Sequence, residues 1–240
     1  MIDHKHKIIF IHIPKCAGTS VYKFFNPDVK FDFRTPNYDI HYGWCPDRKI
    51  HMQHATSKQL VELDLISPEQ WNTYFKFTFI RNPWDRVYSD YLWIRKTAKI
   101  NDTFINYLNK SGSFSSILND DTNFDYRGDH LRPQTDFFND DQYKMDFIGN
   151  FETFSVDMEK ILKLIKADEV FDFHENIKTK DKLHYSYFFS AKRKQLFEHL
   201  YQQDILKLDY IFQNKKKEDG KAWVPFTYYD IINTNKLLKK

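Results

Sequence analysis

Apolar residues fall first in a short unbroken run, Ile8-Ile-Phe-Ile11, rich in β-branched side chains and closed by Pro14. Such a run predicts a strand buried on both faces of a parallel sheet. Val21, Tyr22, Phe24 and Phe25 follow at the spacing of one helix face. Between the two lie Lys15, Gly18, Thr19 and Ser20. Strand, glycine-containing turn and helix start together predict a cradle for an anion, because the first backbone N–H groups of a helix and its dipole attract negative charge.

The pattern then loosens. Residues 26–48 are punctuated by Asn26-Pro27, Pro36-Asn37, Gly43 and Pro46 and carry Phe31, Phe33, Tyr38, Tyr42 and Trp44. They predict an irregular connection, either covering a site or pinned to the core by its aromatics. Leu60, Leu63 and Ile66 mark a helix, and Pro68 opens another. Residues 74–80, Tyr-Phe-Lys-Phe-Thr-Phe-Ile, predict a second buried strand that ends in Arg81. Asn82 as cap, Pro83 at the first helical position and Asp85 at the third predict a helix running to about Lys96. A helix over Asp102–Lys110, a loop over Ser111–Arg127 and a polar turn, Leu131-Arg-Pro-Gln-Thr-Asp136, precede a third strand over Met145–Gly149. Phe154–Ile165 is amphipathic, Ser190 caps a helix pair over Ala191–Gln202 and Asp204–Phe212, and Lys215–Gly220 reads as a solvated turn.

Alternation of strands and helices predicts one three-layer, P-loop-like α/β domain over residues 1–240, its mainly parallel central sheet flanked by helices. Composition agrees with a packed core: 41% of residues are hydrophobic, with 23 Phe and 15 Tyr. A net charge of +3 does not suit a nucleic-acid binder held by phosphate contacts. Two cysteines, Cys16 and Cys45, are too few for a disulfide framework. Cys16 lies inside the loop, either as a small neutral lining residue or as a thiol activated by the helix start. No apolar run reaches membrane-spanning length. The N-terminal residues lead straight into the first strand, leaving no room for a signal peptide, so a soluble cytoplasmic protein is the expectation.

The loop differs from an ATP-type phosphate loop. A leading glycine is missing, Thr19 stands where the lysine belongs, and the lysine has moved forward to Lys15. No predicted buried strand ends in an acidic residue suited to magnesium. The strand at 74–80 ends in Arg81 instead, which invites a second anionic group and points to a nucleotide phosphorylated at both ends.

Pro14-Lys-Cys-Ala-Gly-Thr-Ser20 resembles the 5′-phosphosulfate loop of sulfotransferases that use 3′-phosphoadenosine 5′-phosphosulfate (PAPS), and Arg81-Asn-Pro-Trp-Asp-Arg-Val-Tyr-Ser89 resembles their 3′-phosphate motif. His54-Ala-Thr, Arg132-Pro-Gln134-Thr-Asp136 and Asp146-Phe-Ile-Gly-Asn-Phe-Glu152 resemble the branch of Golgi carbohydrate sulfotransferases and their bacterial relatives. The likeness covers about residues 7–212. It implies that the amides of Cys16, Ala17, Gly18 and Thr19, with the Thr19 and Ser20 hydroxyls, hold the phosphosulfate. Lys15 would contact the bridging oxygen, while Arg81 and Ser89 clamp the 3′-phosphate.

The implied reaction moves a sulfuryl group to a hydroxyl, on a saccharide or other small-molecule acceptor. Lys15 stabilises charge on the departing oxygen, and sulfate, with one charge over three oxygens, needs no metal clamp. His54 is the candidate base, with His51 as competitor; His51 and His54 as a metal pair lack a cysteine or acidic partner at metal-site spacing. Arg132 and Gln134 stand at a turn expected near cofactor or acceptor. Glu152 either fixes that turn or faces the nucleotide. The rival readings are an ATP-dependent kinase and a nucleotide-binding relative without turnover.

Overall fold

The computed structural model describes residues 1–172 and 183–215. Residues 216–220 of the predicted solvated turn lie outside it. A four-stranded sheet is built from β1 (Ile2–Asp3), β2 (Ile8–Ile11), β5 (Phe75–Ile80) and β6 (Phe147–Asn150), in the order β1-β2-β5-β6. β2, β5 and β6 run parallel, with Ile8 opposite Phe75 and Phe77 opposite Phe147, while the short edge strand β1 is antiparallel to β2. All four residues of β2 and the last four of β5 are buried. This is why both strands are legible as continuous apolar runs. β3 (Trp44–Cys45) and β4 (Ile50–His51) form a separate antiparallel pair at the end of the aromatic connection.

Helices flank the sheet. α1 (Gly18–Phe25) follows β2 and buries Val21 and Tyr22. α2 (Ser57–Glu62) and α3 (Pro68–Thr73) each begin with a capping box, Thr56 with Gln59 and Ser67 with Gln70. α4 (Pro83–Thr97) starts as the sequence predicts, with the Asn82 side chain accepting from the Asp85 amide. α5 (Phe104–Leu108), α6 (Ser115–Asn119), α7 (Phe154–Leu164), α8 (Tyr185–Phe188), α9 (Ala191–Leu200) and α10 (Gln202–Lys207) complete the described chain. Among the described residues no helix is long and apolar enough to cross a membrane.

Two apolar clusters result. One surrounds the sheet and draws in Val21 and Tyr22 of α1 and Met158, Ile161 and Leu162 of α7. The other is helical and aromatic, joining Trp84, Tyr88, Tyr91 and Ile94 of α4 to Phe104, Tyr107, Phe188 and Phe197. α4 thus leaves the sheet at its N-terminus and builds a second layer of packing along its length. In the 26–48 connection Phe31 and Tyr42 pack edge-on against Tyr22, which anchors the connection to α1.

Three boundaries differ from the sequence expectation. The third strand begins at Phe147 because Asp146 turns its side chain across the sheet and accepts the Lys76 amide at 2.7 Å, in place of a backbone carbonyl. Within the predicted loop 111–127, Phe114 and Leu118 are four apart and buried, and they fold a short turn and α6 around themselves. The last helix stops at Lys207, since Phe212 is held off-axis by edge contacts to Trp84 and Tyr185.

One buried junction locks the fold behind β5. Gln134 is 0% exposed; its side chain accepts the Arg81 amide and donates to the Arg81 carbonyl, both at 2.8 Å. The buried Asp204 carboxylate of α10 in turn accepts the amides of Gln134 and Thr135 and the Thr135 hydroxyl. Gln134→Ala leaves both backbone groups of Arg81 unpartnered in the interior. It is expected to cost about 2–4 kcal/mol in chemical denaturation; a loss below about 0.5 kcal/mol would show that the junction carries no such strain.

Candidate active site

The turn after β2 is shaped for an anion. Lys15 and Ala17 both take left-handed backbone conformations, φ 69° and 64°, unusual for residues with a Cβ. Ala17 caps α1 without a side-chain hydrogen bond. The amides of Ala17, Gly18 and Thr19 donate to no protein acceptor among the described residues. Alternation of left- and right-handed residues at a helix start directs N–H groups into a concavity that suits phosphate or sulfate oxygens. The Thr19 and Ser20 hydroxyls likewise have no protein hydrogen bond among the described residues, whereas Thr19 is exposed and Ser20 buried.

Two arginines beyond β5 hold this turn open. Arg81 donates through Nη1 to the Lys15 carbonyl at 2.9 Å, and Arg86 donates through Nε to the Pro14 carbonyl at 3.1 Å. These bonds fix the peptide planes on either side of Lys15; the Cys16 amide, expected to face the anion, instead turns back to the Ile13 carbonyl at 3.2 Å, and the open amides begin at Ala17. Arg81 also bonds the Asp85 carboxylate through Nε at 3.0 Å and through Nη2, and lies over the Phe151 ring. Of its five N–H donors this leaves two uncommitted. Asp85, Ser89 and Trp93 recur every four residues on one face of α4, each about 6 Å further along it. Ser89 makes no side-chain hydrogen bond among the described residues, and the Lys15 ammonium sits 5.0 Å from the Trp93 ring centre. That face runs from the arginine to the lysine.

A cluster of histidines closes the other side. The His54 ring lies 4.7 Å from His12, 5.0 Å from His130 and 6.4 Å from His51 between ring centres. His54 Nδ1 donates to the His12 carbonyl at 3.3 Å. His51 Nε2 faces both the Tyr126 carbonyl and the Arg127 guanidinium at 3.1 Å. Burial pushes His54 well below the usual imidazole range, with the neighbouring histidines adding to the effect. Burial lowers His12 in the same way, and carries His51 down to about 4 against the opposing pull of Asp129. His12 fits only because residue 18 is glycine: a Cβ there would stand 1.8 Å from His12 Nε2.

Several predicted residues fall elsewhere. Gln134 is spent on the Arg81 backbone, so it positions the arginine and does not reach a ligand. Arg132 donates to Gln59 and covers the Phe137 ring. Glu152 accepts the Asn82 amide and the Tyr210 hydroxyl, fixing the turn after β5. Burial raises Cys16 to about 12, so it is a neutral residue beneath the loop, its thiol directed at Gln134. Among the described residues no group of three or more His, Cys, Asp or Glu is placed to hold a metal. Sequence reasoning missed His12, Arg86, Asp90, Trp93 and His130. Two carried a signal: His12 interrupts an apolar run, and Asp90 is a charge on the buried stripe of α4.

Two outcomes follow from this packing. Gly18→Ala drives His12 out of its place and is expected to cost about 1–3 kcal/mol in chemical denaturation; unaltered stability would mean the loop and His12 are independent. The buried imidazoles also set a pH dependence. The unfolded chain protonates them near 6.5, the folded chain only lower, so the unfolded state binds more protons as pH falls. Stability is expected to be level above about pH 7.5 and to fall from about pH 6.5 toward 4, the window of His51, before most carboxylates titrate. Denaturation midpoints that stay constant between pH 7 and 5 would exclude buried neutral histidines.

The profile that describes the sulfotransferase family matches residues 1–214. An uncharacterized protein of Archaeoglobus fulgidus is 30% identical over 119 residues, which cover 48% of this chain and 88% of that relative. No solved structure matches the chain. The family match takes in the open turn, both arginines and the histidine cluster, and the chain belongs to the sulfotransferase family.

Proposed function

We propose that the chain transfers the sulfuryl group of PAPS to a hydroxyl of a small-molecule acceptor, a saccharide or a saccharide-bearing molecule. The observation that carries this reading is the pairing of the open amides of Ala17–Thr19 with Lys15 on one side of the turn and Arg81 with Ser89 on the other. On a P-loop-like scaffold the amides of Ala17–Thr19 and the Thr19 and Ser20 hydroxyls bind the 5′-phosphosulfate. The two uncommitted donors of Arg81 and the Ser89 hydroxyl bind the 3′-phosphate.

The chemistry is an in-line displacement. The acceptor oxygen forms its bond to sulfur as the bond to the bridging oxygen breaks, and the electron pair leaves on the phosphate. Lys15, anchored on the Trp93 ring, meets that developing charge. The acceptor's proton passes to the histidine cluster, in which His54 and His51 are the candidates visible from sequence. Carbohydrate as acceptor is favoured by the resemblance of the His54, Arg132 and Asp146 segments to carbohydrate sulfotransferases.

Calorimetric titration should show 3′,5′-bisphosphoadenosine binding in preference to ATP. Ser89→Ala is expected to weaken the bisphosphate about three- to tenfold at unchanged thermal stability, since its hydroxyl supports no other contact. Lys15→Ala should lower PAPS turnover about 10²–10³-fold while bisphosphate affinity changes far less. Preference for ATP, or full turnover by Lys15→Ala, would overturn the reading. Mass spectrometry of a saccharide and phenol panel incubated with labelled PAPS identifies the acceptor; transfer to phenols alone would remove the carbohydrate assignment.

A further inference from the structure

We infer that His130, oriented by Asp90, is the group that takes the acceptor's proton, and that His54 stands beside it as a neutral packing partner. The inference rests on the sulfuryl-transfer reading above and deepens it by assigning the base.

His130 lies on the short turn Gly128–Leu131 and is 5% exposed. Its Nδ1 meets Asp90 Oδ1 at 2.7 Å, and the other Asp90 oxygen accepts the Tyr107 hydroxyl at 2.7 Å. A carboxylate on Nδ1 fixes the neutral ring in one tautomer, with the proton on Nδ1 and the lone pair on Nε2. No described residue bonds that Nε2. The ring lies flat on Trp93, 5.0 Å between centres and 4° between planes, and Trp93 is the ring that carries the Lys15 ammonium. Leaving-group lysine and imidazole thus share one indole as their platform. Arg86 ties the His130 carbonyl at 2.9 Å, and with it the same backbone that shapes the turn at Pro14.

The other imidazoles of the cluster lack what a base needs once it is protonated. His54 and His12 have no carboxylate partner, and burial and like-charged neighbours oppose their protonation. His51 is favoured by Asp129 but opposed by burial and by the Arg127 guanidinium against its Nε2, and burial prevails. An imidazolium at His130 instead gains the Asp90 carboxylate. Burial pushes Asp90 up, yet His130, Lys15 and the Tyr107 hydroxyl together hold it below its usual value, so it is an anion at neutral pH. The charged and titratable groups around His130 include Asp90 and Arg86 of α4, Lys15 of the turn, Tyr107 through Asp90, His12, His51 and His54, and Asp129 beside it on its own turn, a buried carboxylate without a hydrogen bond among the described residues.

In the step, the acceptor O–H gives its proton to Nε2 while its oxygen bonds sulfur. The S–O bond to the bridging oxygen breaks with its electron pair going to the phosphate, and the proton leaves to water after product release. His130 is the catalytic residue and Asp90 a positioning residue.

The test uses the full chain, with PAPS turnover read as release of 3′,5′-bisphosphoadenosine while the sulfuryl group passes to water or to a member of the acceptor panel. His130→Asn is expected to lower kcat at least about 100-fold, with bisphosphate affinity within about threefold. Asp90→Asn is expected to move the acid limb of kcat/KM to lower pH, because the imidazolium loses its counter-charge. His54→Asn is expected to lose less turnover and to leave that limb in place. Two-bond ¹H–¹⁵N spectra give a reading without turnover: neutral His130 carries its proton on Nδ1, facing Asp90. Wild-type turnover in His130→Asn, an unmoved limb in Asp90→Asn, or a proton on Nε2 of the neutral ring would each overturn the inference. A wild-type chain that binds the bisphosphate but never releases it from PAPS overturns it too and leaves the nucleotide site standing. Failure to bind the bisphosphate at all overturns the underlying reading instead.

Discussion

The active site depends on two carbonyl groups facing the right way. Pro14 and Lys15 present their C=O groups to the guanidinium groups of Arg86 and Arg81, which fixes the two peptide planes from which the open amides of Ala17–Thr19 continue. Left alone, a turn with alanine and lysine at positive φ costs about 1–2 kcal/mol per residue. Charge-assisted hydrogen bonds from two buried arginines offset that cost. Because both arginines come from the β5–α4 unit, the anion cradle on β2–α1 exists only when the two strands pair in register.

The same economy of elements runs through the rest of the site. Gln134 satisfies the Arg81 backbone, Asp204 satisfies Gln134, and Glu152 caps the next amide at Asn82. A segment near the end of the described chain therefore holds an arginine at the centre of the molecule. α4 serves three ends: along one face Asp85 and Ser89 lie toward the arginine and Trp93 beneath Lys15, while Asp90 meets His130. Its apolar stripe meanwhile organises the aromatic second layer. A shift of this helix would disturb the Arg81–Asp85 pair, the placement of Lys15 and the Asp90–His130 pair together.

The imidazoles of His12, His51 and His130 each lie within ring-contact distance of His54, and burial with like-charged neighbours lowers His12, His51 and His54. The carboxylate of Asp90 breaks that symmetry by giving one ring a counter-ion. Burial then assigns the others to neutral roles: His12 closes the cradle against Gly18, and His54 fills the space between His12 and His130.

Local chemistry was legible without coordinates wherever it lies in consecutive residues. The buried run of β2, the lysine-and-glycine turn, the Asn82-Pro83 helix start and the arginine at the end of β5 all follow from short-range sterics, capping and burial on both strand faces. These were enough to show where the turn departs from the ATP-type pattern. Only tertiary structure decided which histidine has a carboxylate, because Asp90 and His130 are forty residues apart on a helix and an irregular turn with no shared periodicity. It also decided that Gln134 and Arg132 face inward or sideways, since whether a polar side chain meets ligand or backbone depends on which buried groups the rest of the fold leaves unpaired.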